Sequence, residues 1–419
     1  MATATLAQNT PVAAPSATAR PRLDSIDFVR GLVMVIMALD HVRDFFNLDA
    51  RFFDPTDLTR TTPLLFLTRW VTHFCAPTFV FLAGTGAYLW ASRGRTPGQL
   101  RRFLVSRGIW LIVVELTLVT VGWTFNFTWS FIGLQVIWVI GWSMILLAAL
   151  SWLPIRVVAG IGIILIAGHN LLDGIHPRPL LGGGAGPGAL PFGNGALGGA
   201  LSPDATLWDW VWSSLHVFNP PIAYPLIPWV GVMAAGYAFG TLVQRPSDER
   251  RRLFLRLGLA VTAAFVALRW TNIYGDPVPW SVQPDPVYTV LSFLNTSKYP
   301  PSLLYLLMTL GPAIALLGLV DRASGPVVRF FVVFGRVPFL YYVVHLYLIH
   351  GLTLVAAAVT GQAAPNDLRV FFLFYPKTFG FSLGVVYAIW VGVVLALYPL
   401  CWWFARLKAR RKDAWLSYV

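Results

Sequence analysis

FGFSLGVVYAIWVGVVLALYPLCWWF, residues 379–404, carries no charged side chain. It is longer than the roughly 20 residues with which an α-helix crosses about 30 Å of hydrocarbon. No charged stripe recurs along it at the spacing of a water-facing amphipathic helix. Working outward from this run, comparable stretches occur at 26–46, 66–91, 107–125, 129–150, 155–172, 222–243, 254–272, 301–320 and 330–352. The sequence therefore predicts an all-α, polytopic integral membrane protein of about ten transmembrane helices. Composition agrees: 57% of the 419 residues are hydrophobic and 12% are charged, whereas a soluble domain is about a quarter charged.

The net charge of +13 is spread between the apolar runs instead of forming one basic face, which excludes nucleic acid as a partner. With the N-terminus inside, the alternate segments divide Lys and Arg roughly twenty to six in favour of the cytoplasm. Both termini are thus expected in the cytoplasm and the protein in the inner (plasma) membrane. Residues 1–22, rich in Ala, Thr and Pro, read as a disordered cytoplasmic tail. Residues 23–405 read as one transmembrane domain and 406–419 as a basic cytoplasmic tail. The outer loop at about 174–204 is rich in Gly and Pro, and TLWDWVWSSLHVFNPP (206–221) has enough Trp to lie along the membrane interface. Cys75 and Cys401 fall inside membrane segments, so no disulfide framework or zinc spacing is present.

Charged groups inside a span cost about 2.5–3.5 kcal/mol at its centre, so each asks for a partner or a role. The first span is crowded with them: Asp24, Asp27 and Arg30 at its inner end, and Asp40, His41, Arg43 and Asp44 at its outer end. Asp27 and Arg30 are three apart and can form an ion pair on one helix face. At a rise of 1.5 Å per residue, His41 lies roughly 21 Å up the first span, His345 roughly 22 Å up the ninth and His73 at about 20 Å. Three histidines on three helices thus share one level in the outer half of the membrane. A lone intramembrane histidine is an ordinary hydrogen-bonding group; three at one depth favour a site. Asp40 and Arg43 could tune His41 for general-base work, although consecutive residues point apart and Asp40 need not orient it. His350 is nearer the outer rim. Glu115 is expected to pair with an arginine, the alternative being a coupling proton site of a transporter.

The opening RLDSIDFVRGLVMVIMALDHVRDFF (22–46) resembles the start of bacterial YeiB-like membrane proteins related to heparan-alpha-glucosaminide N-acetyltransferase. RWVTHFCAPTFVFLAGTGAYL (69–89), NTSKYPPSLLYLLMTLGP (295–312) and GRVPFLYYVVHLYLIH (335–350) fit the same bacterial branch. The resemblance implies a membrane acyltransferase that moves an acetyl group from cytoplasmic acetyl-CoA to a sugar or glycan acceptor on the outer side. An inner basic rim of Arg30, Arg101, Arg102, Arg107 and Arg336 would hold the donor phosphates. The lysosomal enzyme has its active-site histidine in the loop after the first helix, where NLDARFFDPTDLTRTTP (47–63) has none. His41 is the nearest replacement and His73 the next.

On this reading His41 deprotonates an acceptor hydroxyl or amine, or briefly carries the acetyl group. His73, His345 or Arg43 stabilises the oxyanion, and Asn295, Lys298 and Tyr299 touch the acceptor. The expected partners are acetyl-CoA, the acceptor and membrane lipids, with a homodimer as an open option and no metal. A transporter using Glu115 and the histidines is the alternative.

Overall fold

The computed structural model describes residues 23–128, 132–181, 202–411 and 413–417. The tail at 1–22, residues 182–201 of the Gly/Pro-rich loop and the chain's last two residues lie outside the described residues. Among the described residues there are helices and no strands. In chain order the helices are α1 (Asp24–Phe46), α2 (Pro63–Thr72), α3 (Cys75–Ala91), α4 (Pro97–Val114), α5 (Thr120–Thr124), α6 (Val136–Leu150), α7 (Ile155–Gly168), α8 (Leu207–Leu215), α9 (Leu226–Val243), α10 (Ser247–Thr271), α11 (Pro286–Leu294), α12 (Leu303–Leu319), α13 (Pro326–Arg336), α14 (Pro338–Thr360) and α15 (Leu383–Arg410). α2 runs into α3, and α4 passes through a π turn (Glu115–Val119) into α5.

Seven of these segments are long and apolar enough to cross a membrane: Pro63–Ala91, Pro97–Thr124, Ile155–Leu172, Leu226–Val243, Ser247–Thr271, Pro338–Thr360 and Leu383–Arg410. The other three expected spans are α1, which carries too many charges, and α6 and α12, of 15 and 17 residues. Two boundaries differ instructively. The span expected at 107–125 begins ten residues earlier, because Thr96 and Gln99 close a capping box over Pro97 and start α4 there. The span expected at 330–352 is two helices. Val337 leaves helical geometry before Pro338, which cannot donate its backbone nitrogen, so α13 stops and α14 restarts.

α1 forms the central post, buried along nearly its whole length and packed against α13, α14, α15, α3, α2 and α12. Among the described glycines the closest approaches are at its crossing with α13: a Cβ on Gly31 would stand 1.8 Å from the Phe331 carbonyl oxygen, and one on Gly335 1.8 Å from that of Asp27. Only a missing side chain lets two backbones approach so closely. The same device joins α3 to α9, where the Thr85 hydroxyl also donates to the Gly236 carbonyl at 2.9 Å. The perimeter is apolar and exposed, as a lipid-facing surface requires: Ile164 on α7, Leu259 on α10, Val355 and Val359 on α14 and Leu395 on α15. α8, capped by Thr206 and Asp209, exposes Leu207 and Trp208 while burying Trp212.

Candidate active site

Helix geometry sorts the charged outer end of α1 into two directions. Positions 40, 43 and 44 fall on one face, and His41, turned about 100° away, on another. Asp40 accepts from Arg69 Nη1 at 2.8 and 2.9 Å and from the Thr72 hydroxyl at 2.7 Å, and it pairs with Arg43 Nη2 at 2.8 Å. Arg43 also donates to Asp44 at 2.5 Å. Lys298 Nζ stands 4.0 Å from Asp40. Each acid is thereby matched by a cation or a hydroxyl, which is how a helix with four charges or imidazoles in five positions survives burial.

His41 turns instead to α14. Its Nδ1 is 2.7 Å from His345 Nε2, the two rings are parallel within 9°, and His345 Nδ1 is 2.7 Å from the Tyr341 carbonyl oxygen. A carbonyl only accepts, so His345 Nδ1 must carry a proton and, in the neutral ring, Nε2 must accept. His41 then donates from Nδ1, and its Nε2 bears the free lone pair. Among the described residues that nitrogen has no hydrogen-bond partner. His41 lines a cavity of about 170 Å³ at this level.

The cavity has a polar wall of Asp40, His41, Arg43, Arg69 and Lys298 and an aromatic wall of Trp123, Phe218, Tyr224, Tyr299, Tyr342 and Phe372. Asp44 and Asp54 also line it, Asp54 being held by the amide and hydroxyl of Thr56. Arg51 lies next to the lining residue Ala50. It donates to the carbonyls of Asp44, Phe45 and Phe372 at 2.7–2.8 Å and lies over Tyr375. Burial pushes its guanidinium down to about 10, so it stays charged at neutral pH. Burial would raise the Tyr299 phenol, but Lys298 and Arg69 beside it outweigh burial and bring it below its ordinary value. Arg43 is 2% exposed, and its Nε and Nη1 are buried without a hydrogen-bond partner among the described residues.

The remaining sequence candidates fall in three places. His73 is buried next to Tyr305, whose hydroxyl donates to the His73 carbonyl at 2.8 Å, and is not on the cavity wall. Asn295 is also off that wall and donates to the Thr56 carbonyl at 3.0 Å. Arg30 and Arg336 meet at the α1–α13 crossing, Arg30 on Asp27 at 3.3 Å and Arg336 on Asp24 at 3.1 Å. Arg101 lies on α4 with its guanidinium 3.7 Å over Trp152, beside an exposed Arg102; Arg107 is one turn further in. His350 sets both ring nitrogens on carbonyls, Gly122 at 3.0 Å and Leu368 at 2.8 Å, and stacks on Phe125. Among the described residues no group of three or more His, Cys, Asp or Glu could hold a metal ion.

Glu115 is a correction. Its recorded partners among the described residues are backbone amides and not an arginine. Its carboxylate accepts from the backbone amides of Gln135 at 3.3 Å and Trp138 at 3.1 Å, capping the start of α6. An acid committed to orphan helix amides is a structural group and not a proton-coupling one. Glu115→Ala is expected to destabilise the protein by about 1–2 kcal/mol, read as a lower thermal midpoint in detergent, while Glu115→Gln, which keeps one acceptor oxygen, retains most of the stability.

Arg69, whose Nη1 donates to both oxygens of Asp40, is absent from the sequence candidates. Its signal was available: an intramembrane arginine, four residues before His73, that needs a carboxylate. Trp123 and Phe372 leave no such signal, since aromatic residues are common throughout the chain.

The family profile described as heparan-alpha-glucosaminide N-acetyltransferase, catalytic, matches residues 22–271, more than half of the chain. That stretch supplies Asp40, His41, Arg43 and Arg69, whereas Lys298 and His345 come from beyond it. No curated protein matches the chain.

Proposed function

That this chain belongs to the heparan-alpha-glucosaminide N-acetyltransferase catalytic family is the premise from which we propose its reaction: transfer of an acetyl group from cytoplasmic acetyl-CoA to a sugar or glycan acceptor at the outer cavity. The single observation that carries the reading is the His345–His41 pair, which leaves Nε2 unprotonated on a histidine that lines the cavity. There it takes the acceptor proton as the acceptor attacks the thioester carbonyl. Arg43, which lines the cavity, supplies positive charge for the oxyanion. The aromatic wall offers faces to a sugar ring. Asp40 acts at one remove, by holding Arg43, Arg69 and Lys298 around the reacting atoms.

The same reading takes α1, α6 and α12 as crossings too, which makes ten. The charges of α1 are paired inside the protein, and α6 and α12 extend about 22 and 25 Å. An even number puts both termini on the same side, and the charge bias of the loops favours the cytoplasm. The cytoplasmic arginines, Arg101 and Arg102 foremost with Arg107, Arg30 and Arg336, hold the donor phosphates.

Calorimetry of acetyl-CoA with the detergent-purified protein tests this. Saturable binding is expected, weakened about tenfold or more in Arg101→Ala/Arg102→Ala, since each charge-assisted contact contributes roughly 1.5–3 kcal/mol. No heat at millimolar donor with folded protein would remove the acyltransferase reading.

A further inference from the structure

A carbonyl oxygen only accepts, so a ring nitrogen within hydrogen-bond distance of one must carry a proton to bond it. His345 meets a carbonyl with one nitrogen and can stay neutral; two other histidines meet carbonyls with both. His350 on α14 has Nδ1 3.0 Å from the Gly122 carbonyl of α5 and Nε2 2.8 Å from the Leu368 carbonyl of the outer segment 361–382. His169, at the end of α7, has Nδ1 3.0 and 3.1 Å from the carbonyls of Ile166 and Leu165 and Nε2 2.8 Å from that of Pro301. A neutral imidazole owns one N–H and turns a lone pair towards the remaining carbonyl, whereas the imidazolium donates to both. The two residues are 0% and 2% exposed, so bulk water does not stand in for the missing bond.

Each of these histidines ties a helix to a segment that walls the cavity. Leu368 lies three residues before Phe371, Phe372 and Leu373, and Pro301 two residues after Lys298 and Tyr299; the cavity is lined by those five. Ring faces that suit a cation surround His350: Phe125 stacks on it with centroids 4.0 Å apart, and Phe45 of α1 stands at 5.0 Å. Arg369 and Tyr375 of the outer segment also face it, and Arg369 repels the proton. His169 faces His216, at 5.9 Å between centroids, and Asp173, whose carboxylate is 3.0 Å from His216 Nε2.

We infer that His350 and His169 are positioning residues that work as imidazolium ions: protonated, each fastens one wall of the cavity to the helix bundle, and neutral, each lets one carbonyl go and slackens that wall. The proton gains its second bond in the fastened state alone, so fastening strengthens as pH falls through the histidine range and weakens as it rises. The irregular segments yield first, because the opposing carbonyls of Gly122, Leu165 and Ile166 sit in helices. That these walls face an acceptor rests on the acyl-transfer reading above; their fastening does not, and the test reads the fastening alone.

Amide hydrogen exchange of the full chain in detergent is measured at pH 5 and pH 8 and corrected for the intrinsic pH dependence of exchange. Segments 364–371 and 297–304 are followed, with 49–61, which contains no histidine, as the reference. Protection in both segments is expected to be about tenfold higher at pH 5, as for the loss of one charge-assisted bond, while the reference changes little. His350→Gln removes the pH response at 364–371 and leaves the one at 297–304; His169→Gln does the reverse. Equal corrected protection at the two pH values in the wild type, greater protection at pH 8, or a reference that moves as much would overturn the inference. So would a response at 364–371 that survives in His350→Gln. Should a variant fail to accumulate, the wild-type series decides by itself, and a chain that binds no donor would lose the acyl-transfer reading while this result stood.

Discussion

His41→Ala lowers acetyl transfer by about 10²–10⁴-fold, the range a positioned general base contributes, and leaves the protein inserted and monodisperse. The geometry makes the expectation specific to one ring nitrogen. His345 is bound to the Tyr341 carbonyl and so fixes the proton of His41 on Nδ1. Alanine removes the one imidazole that lines the cavity among the described residues, and with it the free lone pair on Nε2. His345→Ala keeps that nitrogen but releases its tautomer and ring orientation, so a smaller loss of about tenfold to a hundredfold follows from the supporting role. Coenzyme A release with purified protein, alongside thermal midpoints, measures both. Full activity in His41→Ala would take His41 out of the chemistry, and a larger loss in His345→Ala than in His41→Ala would reverse their roles.

Gly335→Val abolishes accumulation of folded protein. A Cβ there would stand 1.8 Å from the Asp27 carbonyl oxygen and 2.7 Å from its carbon. Those atoms belong to the backbone of α1 and cannot swing aside as a side chain would. Overpacking a core costs about 1–3 kcal/mol when neighbours can adjust; here relief requires α1 and α13 to separate, which loosens the packing of the central post, so the cost exceeds that range. Gly31→Ala meets the same obstacle from the other helix, at Phe331. Gly86→Ala on α3 is the control, since its added Cβ meets nothing within 4 Å. Yield of monodisperse protein after extraction separates the three. Normal yield of Gly335→Val would show that the crossing can open.

The all-helical membrane class was legible because hydrocarbon thickness sets a length that the sequence must meet, and long apolar runs state it directly. The level of His41 and His345 was legible for the same reason. Their contact was not, since depth along two helices says nothing about which faces meet. The depth of His345 also rested on a span at 330–352 that Pro338 divides, so the agreement came from α13 and α14 together rising beside α1. Glu115 shows the limit most clearly. From the sequence it is an unpaired acid, because its partners are backbone amides of another helix and leave no trace in residue identity. Arg69 stood out as an arginine inside an apolar run, but its carboxylate did not, and Lys298 was legible as a candidate acceptor contact but not as a neighbour of Asp40.

The glycine seam between α1 and α13 has one further consequence. Two backbones in contact at both Gly31 and Gly335 leave no gap through which the central helix could tilt or slide, and its outer end is clamped again by Arg51 and Arg69. The imidazole is therefore a fixed anvil. On the acyl-transfer proposal, donor and acceptor must both be brought to it, and the motion that brings them belongs to the helices around it.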